Sequence, residues 1–202
     1  MKKAFLLFVA ACGLSTGAAQ AQYRGRGGNV SLGLKVGASL TNFVGADANY
    51  DNRFGFHAGG FANIGFARLF AFQPELIYSQ KGANDRGNGD AGYRFHYLDV
   101  PLAFHVNTDG FFFEAGPQVG FLLGANRNFG SASGDIKNYY KSVDVGYLFG
   151  LGYQLKHGVG VGLRYNGAFS NFPNSTPLAP GLIIQPRQRN SAFQLYASYS
   201  FN

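Results

Sequence analysis

Apolar and polar residues alternate along the chain from residue 30 onward. Over residues 30–41, Val30, Leu32, Leu34, Val36, Ala38 and Leu40 form one row, and Ser31, Gly33, Lys35, Gly37, Ser39 and Thr41 form the other. A side-chain period of two marks a strand with one apolar and one polar face. The same alternation predicts seven more strands, over residues 54–64, 70–81, 97–106, 111–125, 143–153, 159–169 and 192–201. The links between them alternate in length. Long segments (42–53, 82–94, 126–140 and 170–190) trade places with short ones (65–69, 107–110 and 156–158), and the Asn107-Thr108-Asp109-Gly110 turn ends in the Asp-Gly pair favoured in hairpins. Eight antiparallel strands joined in this way put both ends of the strand series on the short-turn side.

Two eight-stranded barrels fit this pattern. A soluble carrier would bury the apolar rows, and a membrane barrel would turn them outward. Three features predict the second. Strand lengths near ten residues suit a tilted strand crossing a bilayer. The polar rows hold Gly, Ser and isolated ions rather than the dense Lys and Glu of a soluble surface. Aromatic residues gather at strand ends, where membrane barrels carry girdles: Phe43, Phe54, Phe66, Phe70, Tyr93, Phe95, Phe111, Phe112, Tyr139, Tyr153 and Phe169. The predicted fold is therefore all-β, an eight-stranded antiparallel up-and-down transmembrane β-barrel. Lys35, Glu75, Lys81, Asp99, Glu114, Asp144 and Arg164 all fall on polar rows. They are expected to form a lumen ion network centred on Lys35 and Arg164, because unpaired ions in a narrow interior are strongly unfavourable.

Composition narrows the class. Only 13% of the 202 residues are charged, about half of the ~25% usual for soluble domains. Phe, at 21 residues, is too common for a disordered chain, and the single Cys rules out a disulfide scaffold. The 30 Gly residues sit badly with a helical bundle. Residues 1–21 read as a secretory signal: Lys2 and Lys3, an apolar run from Ala4 to Leu14, and the small-x-small site Ala19-Gln20-Ala21. Cleavage after Ala21 would leave a barrel domain of residues 22–202. The formal charge of +7 would lose the two lysines and become +5. Val9-Ala10-Ala11-Cys12 offers a competing lipobox, which would make Cys12 a lipidated N-terminus. No later run is long enough for a transmembrane helix.

Several stretches are similar to a known family. Phe72-Gln73-Pro74-Glu75-Leu76-Ile77-Tyr78-Ser79-Gln80-Lys81-Gly82 resembles the third-strand pattern of PorT-like outer-membrane β-barrel proteins. Tyr97-Leu98-Asp99-Val100-Pro101-Leu102 resembles their fourth-strand motif. Glu114-Ala115-Gly116-Pro117, and the stretch from Asp144-Val145-Gly146 to Gly150-Leu151-Gly152-Tyr153, match as well. The resemblance implies a barrel in the outer membrane of a diderm bacterium. The family's namesake is linked to protein secretion, but no residue here carries that role over. The end of the chain, Tyr199-Ser200-Phe201-Asn202, resembles the signal read by outer-membrane assembly machinery, with its aromatic one place before the last residue.

A search for chemistry yields little. His57 and His105 are expected inward on different strands, His96 outward, and His157 in a turn, so no metal cluster is expected. A catalytic grouping of His96, Ser79 and Asp99 is opposed by the outward placement of the histidine. No cofactor is expected, and the dispersed basic residues do not read as a nucleic-acid stripe. The long loops carry Arg127, Lys137, Arg187 and Arg189, which are candidate contacts to anionic headgroups of outer-membrane lipid and lipopolysaccharide, or ordinary solvated charges. The expected function is structural or interaction-based, through long extracellular loops contacting an unknown surface partner. The lumen is expected to be plugged and the protein a non-enzymatic monomer. The alternative is a small pore for ions or small solutes.

Overall fold

The computed structural model describes residues 30–45, 50–129, 132–173, 176–179, 182–184 and 187–201. The expected signal segment 1–21, its Cys12 alternative and the cleavage site lie outside the described residues.

In chain order the strands are β1 (Val30–Val44), β2 (Tyr50–Asp51), β3 (Arg53–Gly65), β4 (Phe70–Asp85), β5 (Asn88–Thr108), β6 (Phe111–Phe129), β7 (Ala132–Asp135), β8 (Val143–Gln154), β9 (Val159–Ala168), β10 (Thr176–Ala179), β11 (Leu182–Ile184) and β12 (Arg189–Phe201). Eight of them close into a ring in the order β1, β3, β4, β5, β6, β8, β9, β12. The closing pair is β12 against β1, antiparallel from Leu32 opposite Phe201 to Val44 opposite Arg189. Closure is required by the solvent. Hydrocarbon offers no partner for a backbone N–H or C=O, so a sheet there survives only without edges. The short strands are additions at the long-loop end: β2 pairs with β4, β7 with β6, and β10 with β11.

Side-chain orientation follows the alternation. Leu163 is 57% exposed while its neighbour Arg164 is 3% exposed. Leu34, Val36, Phe104, Val145 and Leu195 are exposed in the same way, whereas all seven strand ions are buried. The apolar rows form the outer surface and the ions line the axis. The tight β5–β6 turn places Asp109 at φ 44° and Gly110 at φ 93°. Both values lie in the left-handed region demanded by a two-residue hairpin that matches strand twist.

Three details depart from the sequence-based expectation. First, residues 82–94 are not a loop. β4 and β5 continue as a hairpin to a two-residue turn at Arg86 and Gly87, with Asp85 opposite Asn88. Gly87, at φ 73°, supplies the turn, and the Gly, Asn and Asp content that reads as loop is carried within the paired strands. Second, Phe43 and Phe95 are not girdle residues. They lie on the inward rows of β1 and β5 and are fully buried, and Phe112 also points inward, stacking on His105 at 5.1 Å. Third, β6 carries a bulge. His96 faces Gly124 but Tyr97 faces Leu122, so Leu123 is the extra residue. Its insertion flips the row beyond it, and Ala125 becomes buried although Leu123 is exposed.

A cation on the outer face is the direct check of this orientation. Leu163→Arg is expected to cost about 2–4 kcal/mol in lipid, read from urea unfolding in phospholipid vesicles. An unchanged midpoint would place Leu163 away from acyl chains.

Candidate functional site in the barrel lumen

An eight-stranded ring is only wide enough for its own side chains. They stack here in layers. The central layer draws one residue from every second strand of the ring: Lys35 (β1), Glu75 (β4), Glu114 (β6) and Arg164 (β9). Arg164 donates to Glu75 through Nη1 and Nη2, both at 2.8 Å, and to Glu114 through Nε at 2.8 Å and Nη2 at 2.5 Å. Lys35 Nζ donates to Glu75 Oε1 at 2.6 Å and lies 4.1 Å from the centroid of the Tyr196 ring. The Tyr196 hydroxyl donates to Glu114 Oε1 at 2.9 Å, and Gln73 Nε2 donates to Glu75 Oε1 at 2.8 Å. His105 Nε2 stands 3.4 Å from Glu114 Oε2. Two cations face two carboxylates, so the layer is neutral and its carboxylate oxygens are hydrogen-bonded. That is the condition under which buried charge is tolerated. Gly162 makes room for it, since a Cβ there would lie 2.4 Å from Tyr196 Cζ.

The other three predicted ions do not join this layer. Lys81 donates to Asp99 at 2.8 Å, and Ser79 donates to the other oxygen of the same carboxylate. Lys81 Nζ also lies 4.7 Å from the centroid of the Tyr97 ring. Asp144 stands apart, accepting from Ser170 Oγ at 2.6 Å and from Asn190 Nδ2 at 2.8 Å. The expected single network is thus one four-residue cross, one pair and one carboxylate held by neutral donors. Strand stagger separates them, because residues on the same inward row sit at different heights along a tilted strand.

Above the ions the mouth is closed by aromatic rings. Phe43, Phe95 and Phe172 are buried, with Phe43 and Phe172 centred 4.8 Å apart and Phe95 5.5 Å from Phe172. Tyr140 packs on Phe95 at 4.8 Å and on Phe172 at 5.4 Å. Burial pushes the Tyr140 hydroxyl up to about 12, so this lid stays uncharged at any physiological pH. Backbone bonds pin Phe172 over the mouth: Lys141 N donates to its carbonyl at 2.9 Å, and its own N–H donates to Gln188 O at 3.1 Å. The short-turn end is different. A polar cavity of about 380 Å³ opens there, lined by Ser31, Asn63, Asn107, Lys156 and Ser198, and ends at Lys35 and Tyr196.

Sequence reasoning missed the lid. A usable signal was present, because Tyr93, Phe95 and Tyr97 share the row of Asp99. Their position near a strand end suggested a girdle instead. The loop bases divide into two kinds. Arg127 is engaged, bonding Asp85 at 2.8 Å and lying 4.2 Å from the Tyr93 ring centroid. Lys137 is half-buried in a short 3-10 turn, while Arg187 and Arg189 are exposed. His57 Nδ1 is 2.9 Å from Ser39 Oγ, and His96 Nδ1 is 2.6 Å from the Tyr78 hydroxyl. Ser79 and Asp99 are bonded to each other without His96. Among the described residues no group of three or more His, Cys, Asp or Glu could hold a metal ion.

Residues 18–174 match the model of a family described as outer membrane protein beta-barrel domain. The chain belongs to that family. Its place is the bacterial outer membrane. Among solved structures it is similar to Neisserial surface protein A, with 13% identity, a TM-score of 0.56, and coverage of 86% of this chain and 99% of that one. It is also similar to Ail of Yersinia pestis, crystallised with the heparin analogue sucrose octasulfate, with 13% identity, a TM-score of 0.50, and coverage of 86% and 99%. At such identities the likeness is one of fold. No curated protein matches the sequence.

For this outer membrane beta-barrel domain the central cross is the stability test. Arg164→Met removes one cation and leaves two carboxylates facing each other in the dry layer, at an expected cost of about 3–5 kcal/mol. The double variant Glu114→Gln, Arg164→Met, which keeps the Lys35–Glu75 pair and restores a neutral layer, is expected to recover most of that loss. Urea unfolding in vesicles reads both, and an Arg164→Met midpoint equal to wild type would show that the cross is not coupled to folding.

Proposed function

We propose that this outer-membrane barrel is a closed, non-conducting and non-enzymatic surface protein that works through its extracellular hairpins. The observation that carries the reading is the double closure of the lumen: the ring of Phe43, Phe95, Tyr140 and Phe172 at the mouth, and the four-ion cross beneath it. The β4–β5 hairpin supports the interaction part. It continues the ladder to Arg86 and Gly87, and the Arg127–Asp85 ion pair braces it against β6. Such a rigid finger can present a fixed surface.

The partners in this reading are outer-membrane lipid and lipopolysaccharide around the barrel, the assembly machinery that receives β12 during biogenesis, and a surface ligand met by the loops. Arg187 and Arg189, with Lys137, are the bases positioned for anionic headgroups, while Arg127 serves the hairpin. The Ser39–His57 pair is sealed inside the wall and offers no room for a substrate, which supports the absence of catalysis. The motifs of β4 and β5 support a PorT-like grouping within the family. Export with cleavage after Ala21 and a monomeric state complete the proposal.

The cavity at the short-turn end favours a second reading, a small pore that conducts once the lid is displaced. Planar-bilayer recording separates the two. The wild-type protein is expected to give no stable steps, and ohmic steps would overturn the closed reading. Replacing Lys137, Arg187 and Arg189 with Gln is expected to lower co-purification of lipopolysaccharide several-fold. Unchanged retention would remove the headgroup contacts.

A further inference from the structure

Between the central cross and the aromatic lid lies a void of about 10 Å³, lined by Lys81, Gln118, Asp144, Asn166 and Asn190 together with Gly120, Gly146 and Gly167. That is roughly the space of one water-sized sphere, for which about 10–15 Å³ is needed. Three of the lining oxygens are buried without a hydrogen-bond partner: Gln118 Oε1, Asn166 Oδ1 and Asn190 Oδ1. Their side chains are 6%, 6% and 5% exposed. Asn190 cannot simply be turned round, because its Nδ2 is committed to Asp144 at 2.8 Å and to the Tyr97 hydroxyl at 3.3 Å. The fourth oxygen donor is the Asp144 carboxylate. The four residues come from β6, β8, β9 and β12, which are consecutive neighbours in the ring.

Charge points the same way. The central cross is neutral by itself, and Lys81, the cation on the void's wall, is answered by Asp99 at 2.8 Å. Asp144 has only the neutral donors Ser170 and Asn190, and among the described residues no Lys or Arg forms an ion pair with it. A buried carboxylate without a counter-charge is costly, and orphaned carbonyl oxygens add to that cost. A single small cation would answer both at once.

We propose that this void is a structural site for one dehydrated monovalent cation of about the size of sodium, held by Asp144, Gln118, Asn166 and Asn190. A lone carboxylate with neutral amide oxygens matches one positive charge. Divalent calcium takes six to eight oxygens, usually with several carboxylates among them. The lid above and the cross below make it a site filled during folding rather than a station on a conduction path. Its work is to tie four adjacent strands together from the inside.

The test is unfolding of the full-length refolded barrel in vesicles, with sodium, potassium, caesium or choline chloride at equal ionic strength. A cation bound only by the folded state stabilises by the factor 1 + [L]/Kd, so at one hundred times Kd the unfolding equilibrium constant falls about 100-fold. The expected result is a saturable rise in midpoint with sodium, a smaller one with caesium, and none with choline. Asp144→Asn should abolish the difference between sodium and choline. Gln118→Met, which removes one neutral oxygen, should weaken apparent sodium affinity several-fold and serves if Asp144→Asn does not fold. Identical midpoints in all four salts, or an equal salt response in wild type and the folded variants, would overturn the proposal and leave the void to a water molecule.

Discussion

A backbone amide in hydrocarbon has nowhere to turn except to another amide. From this constraint the rest of the molecule descends in order. The sheet must close, so β12 pairs with β1. Closure at eight strands leaves an interior only one or two side chains wide. An interior that narrow cannot hold bulk water around an ion, so a charge there must be answered by side chains of the wall. The central cross is the solution reached here. Because Lys35, Glu75, Glu114 and Arg164 stand on alternate strands, each ion pair joins strands that share no backbone ladder. Arg164 on β9 reaches Glu75 on β4 across the full diameter of the ring. Ladder bonds fix neighbours, and the cross fixes the stagger of the whole.

Much of this is written in local alternation. Leu34 beside Lys35, and Leu163 beside Arg164, reveal which row meets lipid, since a cation there would be expensive. The tight β5–β6 turn is legible for a similar reason, because Asp109-Gly110 is one of few pairs suited to two left-handed residues. What alternation cannot carry is height. Seven ions can be assigned inward by parity, yet only the stagger of tilted strands decides that Asp99 meets Lys81 and that Asp144 meets none of the three cations. The β6 bulge at Leu123 hides for another reason. Two adjacent leucines satisfy either phase, so the flip that buries Ala125 leaves no mark in the hydrophobic pattern. The lid was obscured by chemistry shared between two environments: an aromatic at a strand end suits the headgroup region and equally suits a plug.

The two ends of the lumen are built on different principles. Toward the short turns it is lined by Ser, Asn and Gln interleaved with Phe61, Phe111 and Phe112, and stays open as far as the cross. Toward the long loops it is sealed by rings, and the seal depends on loop segments. Phe172 belongs to the link between β9 and β12, and Tyr140 to the link between β6 and β8; the Lys141–Phe172 backbone bond ties these segments to each other, and the Phe172–Gln188 bond folds the second link on itself. The lid is therefore a contact between loops as much as a property of the barrel.

That coupling constrains what the surface can do. Tyr93 and Phe95, on the hairpin that rises above the membrane, pack on Phe43 inside the mouth. The exposed tip at Arg86 and Gly87 thus continues into the lid through one uninterrupted ladder. Displacing the tip would work a lever whose other end is buried among aromatic rings, so movement is resisted by lost burial as well as by the Arg127–Asp85 pair. Below it the ions hold the strands whether or not the lid shifts, because no residue of the cross contributes to the stack. The architecture separates a charge-locked trunk from a crown of packed rings at the long-loop end.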